Sequence, residues 1–222
     1  MTRRVVSLVP SVTESLLSWG VEPVACTRFC EQPSLPHVGG TKDPDVAGIV
    51  ALAPDLVVLN DEENRREDHD ALVAAGLAVH VVRVGAVTDV PPAMAALAED
   101  VGVAAPPIEL PPPAPSTVRV FVPIWKRPWM SIGRDTYGSS LLAHVGAENV
   151  VGDERYPELT LEQAAALGAD LVLAPSEPYP FAERHRAELE AVAPVVLVDG
   201  RDLFWWGTRT PGAVERLGRR LR

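Results

Sequence analysis

The stretch Val5-Val-Ser-Leu-Val-Pro10 is answered further along the chain by Val118-Arg-Val-Phe-Val-Pro123, an offset of 113 residues. Both are short, β-branched and closed by proline, the pattern of a buried strand that ends abruptly. A second pair follows in the same order: Leu52-Ala-Pro-Asp-Leu-Val-Val-Leu59 and Leu167-Gly-Ala-Asp-Leu-Val-Leu-Ala174, offset by 115. Between them Glu14-Ser-Leu-Leu17 matches Ser139-Ser-Leu-Leu142, offset by 125. Three ordered matches with drifting offsets describe one framework used twice, with loops of different length. A period this long means duplicated lobes and excludes a solenoid.

Working outward from these runs, strands are expected near 4–9, 22–26, 55–59 and 78–83, then near 118–123, 148–151, 170–174 and 195–198. Helices are expected near 11–19, 44–52, 64–75 and 91–101, then near 135–145, 161–167, 181–191 and 211–221. Such alternation predicts an α/β protein of two similar Rossmann-like lobes with parallel sheets. Ser11-Val-Thr-Glu14 and Thr160-Leu-Glu-Gln163 read as capping boxes, and Asp43-Pro44 and Thr210-Pro211 as an N-cap followed by proline at the first helical position. Between the halves lies Pro106-Pro-Ile-Glu-Leu-Pro-Pro-Pro-Ala-Pro115, with six prolines in ten residues. That composition suits an extended, semi-rigid spacer. The expected division is an N-terminal lobe over 1–103, a Pro-rich linker over 104–117 and a C-terminal lobe over 118–222.

Charge and composition narrow the function. The 222 residues carry 20 Lys+Arg against 30 Asp+Glu, a formal net charge of −10, with no basic cluster. Nucleic acid and anionic membrane are therefore poor partners. Hydrophobic residues at 47% and charged residues at 23% exclude wholesale disorder. The two cysteines, Cys26 and Cys30, cannot build a disulfide scaffold, and no apolar stretch reaches membrane-spanning length. After four residues the chain enters its first apolar run, without the core or cleavage site of a signal peptide. The expectation is a cytoplasmic protein, or an extracytoplasmic one if a leader has been removed.

Two lobes leave a cleft, and ligands of open parallel sheets sit beyond the carboxyl ends of the strands. The loops after strands are therefore the place to look. Trp125 and Trp129 lie in one of them, Trp205 and Trp206 in another, which accounts for four of the five tryptophans. Phe29, Tyr179 and Phe204 are further loop aromatics. Flat rings on rigid lobes suit a large, planar, amphipathic ligand, or else they cover sheet edges. Arg209, Arg127 and Lys126 stand beside them as candidate anchors for amide, carboxylate or phosphate groups. Gly39-Gly40-Thr41-Lys42 lacks P-loop spacing and reads as a turn presenting backbone to the cleft. Glu62, Glu63 and Glu177 fall at comparable points in the two halves, where paired acids can dock a basic partner. No G-x-S-x-G, H-E-x-x-H or Cys-x-x-Cys is present, and the five histidines are scattered. Cys30 reads as a small packing residue, with a nucleophile or a reversible Cys26–Cys30 disulfide as alternatives.

Taken together, Ser7-Leu-Val-Pro-Ser-Val-Thr-Glu14, Cys30-Glu-Gln-Pro33, Val38-Gly-Gly-Thr-Lys-Asp-Pro44, Glu62-Glu-Asn-Arg65 and Ile132-Gly-Arg-Asp-Thr-Tyr137 resemble the class III substrate-binding proteins of ABC importers. The cobalamin-binding branch of this helical-backbone metal receptor superfamily is the nearest. The resemblance implies a non-catalytic protein holding cobalamin, another corrinoid or a metal chelate between two lobes, as ligand and not as catalytic cofactor. It assigns ring contacts to the Phe29–Cys30 loop, to the Trp125 and Trp129 loop, and to the Phe204–Arg209 loop. Gly40, Thr41 and Tyr179 complete the expected ligand set, with no metal-ligating side chain. It also implies docking of one Glu from each lobe onto a permease, here Glu62 or Glu63 and Glu177. The chain differs in having the long interlobe helix replaced by the Pro-rich linker. Two other functions fit the residues: a haem or siderophore-chelate binder acting with an importer, and a small cytoplasmic α/β enzyme using Cys30 or the cleft acids.

Overall fold

The computed structural model describes residues 3–221. Met1, Thr2 and Arg222, at the ends of the two expected lobes, lie outside the described residues. The chain divides into two compact units. The first takes the described part of Met1–Val84 with Asp89–Ile108 and Trp206–Thr208, the second Gly85–Thr88, Glu109–Trp205 and the described part of Arg209–Arg222. The boundary falls within the proline run, and 103–117 has neither helix nor strand.

The first unit runs β1 (Val5–Ser7), α1 (Pro10–Ser18), β2 (Ala25–Cys26), α2 (Val46–Ala51), β3 (Leu56–Asn60), α3 (Arg66–Ala74), β4 (Val79–Val82) and α4 (Val90–Val101). Its sheet has the order β2-β1-β3-β4, and all of its pairings are parallel. β1 and β3 are buried along their whole length, which is why they read as unbroken apolar runs. Val6, Leu8, Val57, Leu59, Ile49 and Leu72 form the core beneath them.

The second unit runs β5 (Val118–Phe121), β6 (Pro123–Trp125), β7 (Met130–Ser131), α5 (Tyr137–His144), β8 (Ala147–Asn149), α6 (Leu161–Ala166), β9 (Leu171–Pro175), α7 (Arg186–Leu189), β10 (Val195–Val198), α8 (Gly200–Phe204) and α9 (Thr210–Arg220). Its parallel sheet is ordered β10-β9-β5-β8. Read from the other edge, that is second, first, third and fourth strand, the order of the first unit. The duplication visible in the sequence is thus a duplication of topology. A two-stranded antiparallel hairpin, β6–β7, is added in the second unit.

Helix starts depart from expectation where proline and neighbouring charges intervene. Thr160 caps α6 in a full capping box with Gln163. Ser11 does not cap α1: Pro10, pre-set in φ, begins the helix one residue earlier, so Val9 is the N-cap and Ser11 lies inside with its hydroxyl unpartnered. Asp45, not Asp43, caps α2 by accepting from Gly48 N–H at 2.9 Å. Asp43 is instead held by both terminal nitrogens of Arg28 at 3.0 Å. At α9 the N-cap is Arg209, and the Thr210 hydroxyl meets Tyr137 Oη at 3.1 Å.

Candidate functional site

In the second unit the loops after β6 and β9 bring aromatic rings into one group. Trp125, at the end of β6 and 44% exposed, meets Tyr179 edge-on at 5.7 Å and 78°. Tyr179 tilts onto Phe181 at 4.7 Å, and Phe181 stacks on Trp129 at 6.0 Å with the planes 6° apart. His185 sets its edge against both Tyr179 and Phe181. The group therefore grades from an exposed ring at Trp125 to a buried one at Phe181, which joins the hydrophobic core. Lys126 lies 5.4 Å above the Trp129 ring and is ion-paired to Glu188, so its charge is already engaged. Beside Trp129 is a cavity of about 570 Å³, lined by Pro128, Leu159 and the acids Glu158, Glu162 and Glu188 among others. Of the expected ligand residues only Trp129 borders it.

His185 carries a second duty. Its Nδ1 accepts the Ala182 amide at 3.1 Å, closing the turn that starts α7. Burial, helped by the positive charges of Arg184 and Lys126, lowers its pKa from the ordinary histidine value, so the ring is held neutral as that acceptor requires.

The 199–210 stretch, expected as loop, contains α8. Asp199 caps it by accepting from Arg201 N–H at 3.0 Å, a signal present in the sequence and overlooked. Phe204 is consequently the last helical residue and packs against Gly138 of α5. Trp205 is half-buried with the Arg209 guanidinium 6.0 Å from its ring. Trp206 is 4% exposed and belongs to the first unit, as does Gly207, whose φ of +113° and close approach to Ser15 Oγ admit no side chain. Arg209 does not stand ready as an anchor. With Arg216 it grips the buried carboxylate of Asp202, from 3.0 Å for Arg209 and from 2.7 and 2.6 Å for Arg216. Tyr137 beneath them is pushed up to about 12 by burial, with the Asp202 charge adding to it.

In the first unit Phe29 is 50% exposed and lies under the Arg28 guanidinium at 4.7 Å. Cys30, assigned to the ligand set beside it, is 2% exposed and turned into a small apolar cluster with Cys26 and Leu35, because the Thr27–Cys30 turn folds its side chain inward. The glycine turn does not present free backbone either. Gly40 is buried beneath the Arg28–Asp43 pair, and the Thr41 carbonyl accepts from Asn64 Nδ2 at 2.9 Å.

Asn60 and Asn64, which sequence reasoning passed over, organise this end of the sheet. Asn60 Nδ2 donates to Val82 O, Asn64 Oδ1 accepts the Asn60 amide at 2.8 Å, and Asn64 Nδ2 reaches Leu8 O. The signal was an asparagine closing an apolar strand and another four residues later, in Asn60-Asp-Glu-Glu-Asn64. Asn60 Oδ1 then accepts the amides of both Glu62 and Glu63 at 3.0 Å, fixing the backbone that carries these acids. Glu177 follows β9 as Glu62 and Glu63 follow β3, the corresponding strand of the other unit, and all three are half-buried. In the first unit a polar cavity of about 360 Å³ is lined by Asn60, Asn64, Arg65, Arg66, His69 and Arg83 among others. Its arginines are paired, Arg65 with Asp68, Arg66 with Asp70 and Arg83 with Asp61. Among the described residues no group of three or more His, Cys, Asp or Glu side chains could hold a metal ion.

No family model matches the chain. A vitamin B12-binding protein of Salmonella paratyphi A (strain ATCC 9150 / SARB42) is 26% identical over 186 residues, covering 73% of this chain and 68% of the relative. Among solved structures, the periplasmic vitamin B12 binding protein BtuF of Vibrio cholerae aligns with a TM-score of 0.80 at 16% identity, over 99% of this chain and 97% of that one. The periplasmic heme-binding protein BhuT, in complex with two hemes, aligns with a TM-score of 0.82 at 24% identity, over 100% and 98%. These structures share the two-unit α/β fold, and no described helix is long and apolar enough to cross a membrane.

Proposed function

We propose that this chain, which resembles the class III substrate-binding proteins of ABC importers in sequence and in fold, binds cobalamin or a related corrinoid or metal chelate without transforming it. The observation that carries this reading is the exposed rings at strand ends, Trp125 set against half-buried Tyr179 in one unit and Phe29 in the other. Rings held by a buried base suit the flat apolar face of a macrocycle, while the polar rim around them suits its amide and carboxylate edge. The relative named as a vitamin B12-binding protein supports cobalamin as the first ligand to try. We take Phe29, Trp125, Trp129, Tyr179, Phe204 and Trp205 as the ring contacts. Arg209 serves by holding Trp205, and Trp206, Cys30, Gly40 and Thr41 serve by shaping the loops behind them.

Glu62, Glu63 and Glu177 are proposed to dock a basic partner, such as an importer permease, since they follow corresponding strands of the two units and the backbone of Glu62 and Glu63 is fixed by Asn60. Glu62→Lys combined with Glu177→Lys is expected to abolish co-purification with such a partner while leaving ligand binding intact. Native mass spectrometry of the protein isolated from its own host tests the ligand reading. A co-purifying mass with visible absorbance supports it; turnover of a small substrate by colourless protein contradicts it.

A further inference from the structure

At the carboxyl end of the edge strand β2 the chain turns back on itself, and two thiols meet inside the turn. Cys26 is 0% and Cys30 2% exposed, and both are free thiols. The backbone around Cys26 is fixed, its amide donating to Pro36 O at 3.0 Å and its carbonyl accepting from Val38 N–H at 2.9 Å. Cys30 is fixed by its own amide, which donates to Thr27 O at 3.1 Å.

Hydroxyl groups stand against the Cys30 sulfur. Thr27 Oγ1 lies 3.2 Å from it, and Thr13 Oγ1, also at 3.2 Å, shares its one proton with Ser7 Oγ at 2.8 Å and Val9 O at 3.1 Å. Thr27 Oγ1 also accepts the Phe29 amide at 3.3 Å, and its proton is free to turn to the sulfur. The Cys26 thiol and the Thr27 amide also donate to it. A cysteine buried as a small apolar group would keep its proton, because desolvation disfavours the thiolate. Here the donors, first among them Cys26, outweigh burial and lower the Cys30 pKa, while Cys26 is raised by giving its proton to that hydrogen bond and by burial. One thiol is prepared as the nucleophile and its neighbour keeps its proton.

We propose that Cys26 and Cys30 are a redox-active dithiol, with Cys30 as the attacking thiolate and Cys26 as the resolving thiol. The oxidant class is a low-molecular-weight disulfide, RSSR, admitted by local opening of the 27–36 turn. The Cys30 thiolate attacks one sulfur of RSSR, forming Cys30–S–SR and releasing RS⁻. That thiolate takes the proton of Cys26, and the Cys26 sulfur then attacks Cys30, displacing the second RS⁻. The sum is one protein disulfide formed and one RSSR reduced to RSH and RS⁻. The bridge would fasten the turn carrying Arg28 and Phe29 to the end of β2. This inference stands independently of what the protein binds.

The test is reaction of the folded, reduced protein with glutathione disulfide at pH 7, followed by acid quenching and peptide mapping. The expected product is the intramolecular Cys26–Cys30 disulfide. Cys26→Ser should accumulate glutathione on Cys30, and Cys30→Ser should react at least about tenfold more slowly, since its remaining thiol is not activated. In the Cys26→Ser background, Thr27→Val should move the pH midpoint of Cys30 alkylation upward. The peptide map of the native chain decides the matter even if a variant fails to fold. No bridge in the folded protein, when the urea-unfolded chain reacts under the same conditions, overturns the proposal. So does glutathione found on Cys26 in preference to Cys30.

Discussion

Replacing Trp205 and Trp206 one at a time by alanine separates a ligand surface from a structural one. The two side chains are adjacent in sequence and differ in surroundings: Trp206 is 4% exposed, whereas Trp205 is half-buried with Arg209 beside its ring. A buried indole removes about 150–250 Å² from water, and at about 25 cal/mol per Å² that is about 4–6 kcal/mol as an upper bound. Allowing for partial relaxation, Trp206→Ala should cost about 3–5 kcal/mol of stability. Trp205→Ala should cost about 1 kcal/mol, yet it should weaken ligand binding by about 2 kcal/mol, roughly thirtyfold. Urea unfolding followed by circular dichroism gives the stabilities, and calorimetric titration with cobalamin gives the affinities. The reasoning fails if Trp206→Ala is as stable as the native chain, or if Trp205→Ala binds as the native chain does.

Two further outcomes follow from the second unit. Asp202→Ala removes the carboxylate that Arg209 and Arg216 share, leaving Arg209, whose side chain is only 17% exposed, without its acceptor there. Breaking a fully buried pair from one side costs about 3–5 kcal/mol; because the Arg216 side chain is 44% exposed, about 2–3 kcal/mol is expected from urea unfolding, and a change below about 0.5 kcal/mol contradicts the account. His185 supplies a pH dependence. Its folded pKa is lowered, so below the ordinary histidine value the unfolded chain binds a proton that the native ring resists, and stability falls as pH drops through that range. His185→Asn, which keeps an acceptor and cannot titrate, should flatten the fall in melting temperature between pH 7 and about pH 5; an unchanged slope counts against this role.

Much of the fold was legible because parallel strands buried on both faces leave unmistakable apolar runs. Val5–Ser7 and Leu56–Leu59 are such runs, and their repetition at 118–121 and 171–174 announced the second unit. What escaped was local. The β6–β7 hairpin is built on Lys126-Arg-Pro-Trp129, with no Asn-Gly turn to betray it. α8 is only five residues long, too short for periodicity to register. Site residues were legible as residue types and not as orientations. Nothing in Phe29-Cys30 tells that one side chain faces solvent and the other the core; that depends on the turn from Thr27. Likewise Arg209 looked like a free anchor because Asp202, its partner in the fold, and Arg216, which shares that carboxylate, lie seven residues away on either side.

Equilibrium dialysis of the folded protein against cyanocobalamin, cobinamide and haemin tests the central claim most directly. The account predicts retention of at least one corrinoid in stoichiometric amount, with a shifted visible spectrum and lower retention by Trp205→Ala. Retention of haemin alone would move the ligand to the haem reading of the same surface. A protein that is folded by circular dichroism and retains none of the three would contradict the account.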